Sequence, residues 1–67
     1  MPDKVEWLIE SATANVVKII MQERGSSMTE AMDELFSSDL YAGLADRETG
    51  LYLESPSHLY ELLKLNG

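Results

Sequence analysis

Cysteine is absent from this 67-residue chain, and histidine occurs once, at His58. The first absence excludes disulfides, thiolate metal sites and thiol nucleophiles. The second excludes a zinc site built from several histidines of one chain. Basic residues are also scarce, five against twelve acids, for a net charge of −7. The acids are evenly spread, six in residues 1–33 and six in residues 34–67, so neither end forms a charged tail. Such a field repels a phosphate backbone and an anionic bilayer, which argues against nucleic-acid and membrane partners. It suits a basic protein surface, although acidity also keeps small proteins soluble. No apolar run approaches the ~20 residues that span a bilayer. Residues Met1-Pro2-Asp3-Lys4 lead into a charged helix without a signal-peptide core, and the expected location is the cytoplasm.

What is present is a globular composition, 45% hydrophobic and 25% charged, in a chain with room for a single helical domain over residues 1–67. A domain of this size buries only about 60% of the surface its unfolded chain exposes, and small domains are commonly stapled by disulfides, metals or association. With disulfides and thiolate or multi-histidine metal sites excluded, association remains as a staple, beside the alternative of a well-packed monomer.

Helical periodicity dominates the pattern. Val5, Leu8, Ile9, Ala12, Val16, Ile19 and Ile20 recur at the i, i+3/i+4 spacing of an apolar stripe, predicting one helix from Asp3 to Arg24. Pro2 or Asp3 suits its start, and Arg24 followed by Gly25 suits its end. Trp7, Ala14, Val17 and Met21 form a second apolar line nearly opposite the first, interrupted by Glu10 and bordered by Lys18. A helix apolar on two sides needs two covering surfaces.

Ser27 with Glu30 matches a capping box for a second helix, whose apolar face is Met28, Ala31, Met32, Leu35 and Phe36. Ser38 or Asp39 opens a short third helix carrying Leu40, Tyr41, Leu44 and Ala45. Gly50 is placed at a positive-φ turn, followed by a short extended segment near 51–54. Ser55-Pro56 caps a last helix with Leu59, Leu62 and Leu63 on one face, Lys64 in its last turn and Asn66-Gly67 at its end. The expected fold is all-α, a small three- or four-helix orthogonal bundle. Helices two and four are expected on the Val5/Leu8/Val16/Ile19 side of the first, with residues 46–54 closing one end.

No constellation points to catalysis. Ser57 and His58 are neighbours in the first turn of a capped helix, where small polar residues belong, and no third triad member can be named. Glu30, Asp33 and Glu34 lie on a solvated helix face, where desolvation cannot perturb a carboxylate. Calcium-loop spacing is absent, and Gly25-Ser26-Ser27 lacks the lysine of a phosphate loop. The expectation is a non-enzyme without cofactor or metal, acting on a protein partner or on a second copy of itself. Trp7, Val17, Met21 and Tyr52 are the expected contact residues, Tyr52 because it stands between a turn glycine and a helix cap.

Three motifs also carry a resemblance. Glu30-Ala31-Met32-Asp33-Glu34-Leu35-Phe36-Ser37, Tyr41-Ala42-Gly43-Leu44 and the stretch from Glu48 to Lys64 run in that order behind a long amphipathic helix. The last reads ETGLYLESPSHLYELLK and is the most specific. In this the chain resembles a family of short bacterial proteins of unknown function, over essentially its whole length after Met1. The resemblance implies an antitoxin-like or accessory role beside a partner encoded nearby, and it supplies no catalytic residues.

Overall fold

The computed structural model describes residues 3–66, and the suggested roles of Pro2 and Gly67 at the helix ends lie outside the described residues. Four α-helices follow one another: α1 (Lys4–Arg24), α2 (Met28–Phe36), α3 (Asp39–Ala45) and α4 (Pro56–Asn66). A single 3-10 turn, Leu51–Leu53, separates α3 from α4, and no strand occurs among the described residues. The chain is an all-α small bundle, as its periodicity predicts.

Each helix begins where its side chains can satisfy orphan backbone donors. The Asp3 carboxylate accepts from the Glu6 N–H at 2.8 Å and opens α1. Gly25, at φ 63°, closes it in the left-handed region. The Ser27 hydroxyl accepts from the Glu30 N–H at 3.2 Å, while the Glu30 carboxylate accepts from the Ser27 N–H at 3.0 Å. This is a complete capping box on α2. Ser38 joins two helices: its hydroxyl donates to the Leu35 carbonyl and accepts from the Tyr41 N–H. The Ser55 hydroxyl accepts from the His58 N–H at 3.2 Å at the head of α4.

The core is a layer of aliphatic side chains between α1 and the other three helices. Val16 and Ile20 of α1, Leu35 of α2, Leu44 of α3 and Leu59 of α4 are wholly inaccessible, and Leu63 nearly so. Ala12, Val17, Ala31, Leu40 and Tyr60 complete the cluster. The buried residues of α1 are Ala12, Val16 and Ile20, all from the predicted stripe, joined by Val17 from the second apolar line. Val5, Leu8 and Ile19 are half-buried, Ile19 still packing on the core. Length explains part of this. At 1.5 Å per residue α1 is ~31 Å long, whereas α2 and α4 are ~14 and ~16 Å, so its first turns outrun their cover.

Residues 51–54 differ from the extended segment that their alternation suggests. Gly50 turns the chain at φ 70°, and the N–H groups of Leu53 and Glu54 donate to the carbonyls of Gly50 and Leu51, each at 3.0 Å. The Thr49 hydroxyl donates to the Gly43 carbonyl at 2.6 Å and accepts from the Leu51 N–H at 3.2 Å, anchoring the turn to α3. With no strand to pair with, the backbone closes its hydrogen bonds locally in a 3-10 turn, and only Glu54 is extended. Leu51 and Tyr52 pack on the core from this turn. Arg47 ties the same loop to the head of α1 through Asp3 at 2.6 Å and Glu6 at 3.9 Å.

Candidate functional site

A concavity runs between α1 and α2 and ends at α3. Its volume is ≈ 400 Å³, and its walls are Ile9, Glu10, Thr13, Ala14, Val17, Lys18 and Met21 on one side and Met28, Met32 and Phe36 on the other, with Tyr41 at one end. The α2 wall consists of every fourth residue, which stacks Met28, Met32 and Phe36 in one row along that helix. Ala31 and Leu35 turn into the core beside that row. A nine-residue helix with five apolar positions has more apolar surface than the core accepts. The excess stays outside: Met28 is 59% exposed, Met32 37% and Phe36 45%.

Local structure fixes this wall in place. Through its two hydrogen bonds, Ser38 bends the chain from α2 into α3 and brings Tyr41 against Phe36, with ring centroids 4.8 Å apart and planes tilted by 59°. That geometry is a favourable aromatic contact. Arg24 also reaches from the last turn of α1 to Glu34 of α2 at 3.1 Å. The neighbouring Tyr60 hydroxyl, and then Glu34, hold the Arg24 guanidinium above its ordinary range. The Thr13 hydroxyl donates to the Ile9 carbonyl at 2.8 Å, so its proton is satisfied within α1.

Charge enters the groove only at its rim, where Glu10 and Lys18 stand eight residues apart on α1 with Ala14 midway. Both are exposed, and neither forms an ion pair among the described residues. Three of the four methionines line the groove. Methionine is flexible and polarizable, and it is over-used on surfaces that accommodate a partner by repacking.

Of the contact residues read from the sequence, the structure brings Val17 and Met21 together in the groove. Val17 is 6% exposed and contributes its floor rather than a protruding contact. Trp7 stands 58% exposed, about one turn before Glu10 and beyond the groove lining. Tyr52 is half-buried against the core and does not line the groove. Met28, Met32 and Phe36 belong to the site, although the sequence places them on one apolar face with Ala31 and Leu35. The signal that separates them is the i, i+4, i+8 row, distinct from Ala31 and Leu35.

The chemistry considered for His58 and the carboxylates gains no geometry. Ser57 and His58 are exposed in the first turn of α4, and no group of three histidines, aspartates or glutamates among the described residues is disposed to hold a metal. The Glu30 carboxyl is held below its ordinary range, first by the Ser27 backbone N–H and then by the Ser27 hydroxyl, which is a capping effect. No helix among the described residues is long and apolar enough to cross a membrane. Comparison with family models, curated proteins and solved structures finds no match to this chain.

Proposed function

We propose that this protein is a small cytoplasmic protein-interaction module without enzymatic activity. It docks an apolar helical face of its partner in the groove between α1 and α2. The observation that carries this reading is the exposed row Met28, Met32 and Phe36 facing Ala14 and Met21 across an otherwise apolar trough. Contiguous apolar surface rimmed by polar residues marks interaction sites, and a helix laid in a groove is a recurring way to cover it. The antitoxin-like or accessory character, with a partner encoded nearby, rests on the ETGLYLESPSHLYELLK resemblance alone. A second reading, a self-associating homodimer with no other partner, is favoured by the oppositely charged rim residues Glu10 and Lys18.

Site-specific photo-cross-linking tests the docking reading. A photoreactive residue at Met32 is expected to give one discrete product, while the same residue at Leu53, which is 69% exposed but outside the groove, gives none. Met28→Lys is expected to abolish the product, and purified components are expected to reproduce it. Equal labelling from both positions, or a product insensitive to Met28→Lys, would contradict the reading.

A further inference from the structure

The α1 strip beside the groove has a property that a generic docking face does not need. Relative to Ala14, the residues Trp7, Glu10, Lys18 and Met21 lie at −7, −4, +4 and +7. At 3.6 residues per turn all five fall within an arc of about 80° centred on Ala14. Read from either end, the strip is a large apolar residue, a charge, alanine, the opposite charge and a large apolar residue. Trp7 is 58% exposed, and Glu10, Ala14 and Lys18 are exposed, with Met21 half-buried at the groove wall.

We infer that the helix this groove accepts is α1 of a second copy of the chain, lying antiparallel with the two-fold axis at Ala14. The inference rests on the docking reading and names its occupant. A two-fold axis perpendicular to a helix pairs position +n with −n of the partner, which is the self-complementary geometry of an isologous interface. Glu10 then faces Lys18 of the other copy, and Lys18 its Glu10, about 6 Å along the helix on either side of the axis. Trp7 of one copy reaches Met21 of the other about 10 Å from the axis, where an indole on a thioether is a favourable contact. Ala14 at the axis lets the two helices approach at the close end of the ~8–10 Å range. Each α1 thereby covers the other's Met28, Met32 and Phe36 row.

A parallel arrangement in the same register puts Glu10 on Glu10 and Lys18 on Lys18, which repel. The charges therefore select direction as well as partner. A standard interface of about 800 Å² per partner would cover under a fifth of the 4426 Å² surface of one chain. Association of this kind is also the staple that a short, cysteine-free chain still has open to it.

Charge exchange tests the pairing by sedimentation equilibrium. The unmodified chain is expected to show a concentration-dependent monomer–dimer equilibrium. Glu10→Lys alone or Lys18→Glu alone places like charges at both symmetry-related contacts, and each is expected to weaken the dimer about tenfold at low salt. Mixing the two variants restores opposite charges at both contacts. The introduced lysine of one variant then faces the introduced glutamate of the other, and the unaltered Lys18 of the first faces the unaltered Glu10 of the second. The heterodimer is therefore expected to be about as tight as the unmodified dimer. Rescue on mixing also shows that neither variant is merely misfolded. Ala14→Glu, which sets two carboxylates together at the axis, is expected to leave a folded monomer by circular dichroism. A chain that stays monomeric at millimolar concentration overturns the inference. So does a dimer indifferent to the charge exchange. If the chain is monomeric and the Met32 cross-link still captures a different protein dependent on Met28, the docking reading survives without this occupant. If both experiments fail, both are wrong.

Discussion

The two sides of α1 are both apolar, yet they are built from different residues and reach different states. Its core side presents Val16 and Ile20, fully covered by Leu35, Leu44, Leu59 and Leu63 and their neighbours. Its groove side presents Ala14 and Met21 beside Met28, Met32 and Phe36, and there the cover stops. Branched aliphatics with few rotamers fill the first, while methionines with three rotatable bonds line the second. The difference separates surface that the fold buries from surface that it leaves exposed.

Truncation on the two sides is expected to differ most. Leu59→Ala removes a fully buried side chain and should cost about 3 kcal/mol. That is a large part of the ~3–10 kcal/mol expected of a 67-residue domain. Urea denaturation should therefore show the unfolding free energy of Leu59→Ala reduced by about 3 kcal/mol, with its midpoint shifted to markedly lower urea. Met32→Ala is expected to cost the dilute chain under about 1 kcal/mol and Trp7→Ala under about 0.5 kcal/mol, because both positions are exposed. Equal losses on the two sides would show that the groove is as integral to the monomer as the core.

A smaller effect comes from the ends of the helices that form the groove. Ser27→Ala removes half of the α2 capping box and should cost about 1 kcal/mol, lowering the melting temperature by about 4–8 °C. The smallest effect is on the acid limb. Asp3 is held below its ordinary 3.8, first by the Glu6 N–H and then by Arg47. Glu30 is held below its ordinary 4.5 by Ser27. A carboxyl with a lower pKa folded than unfolded stabilises the fold fully above the unfolded value, and loses that contribution as pH falls through the folded value. Stability from these two groups is therefore expected to decline below about pH 4.5. The double variant Asp3→Asn/Glu30→Gln keeps both caps hydrogen-bonded but cannot titrate. Its melting temperature should fall less between pH 5 and pH 3 than that of the unmodified chain, and an identical fall would show that the caps do not set the acid limb.

Much of this architecture is legible in the sequence because it is written in local chemistry. Asp3, Gly25, Ser27 with Glu30, Ser38, Gly50 and Ser55 mark their boundaries through hydrogen bonds or φ values that span few residues. The two-sidedness of α1 is legible as well, since periodicity shows which residues share a face. Periodicity does not show which face finds a neighbour. Hence Met28, Met32 and Phe36 read as one apolar face with Ala31 and Leu35, although of these five only Ala31 and Leu35 are buried. Leu51-Tyr52-Leu53 is too short to distinguish an extended alternation from a 3-10 turn. Its conformation is decided by Thr49 and Gly43, and the latter lies eight residues before Leu51. Tyr52 reads as a contact residue from its aromatic ring and its place between turn and cap, but tertiary packing draws it against the core.

If α1 pairs with a second copy, its groove side meets the partner and its core side does not. The most direct measurement is a dilution series by nuclear magnetic resonance, following side-chain methyls and the Trp7 indole from millimolar to micromolar concentration. Concentration-dependent shifts are expected at Trp7, Ala14, Met21, Met28 and Met32, with Leu59 and Leu63 unmoved. Groove signals that do not change with concentration, or shifts spread equally over the core, would contradict that pairing.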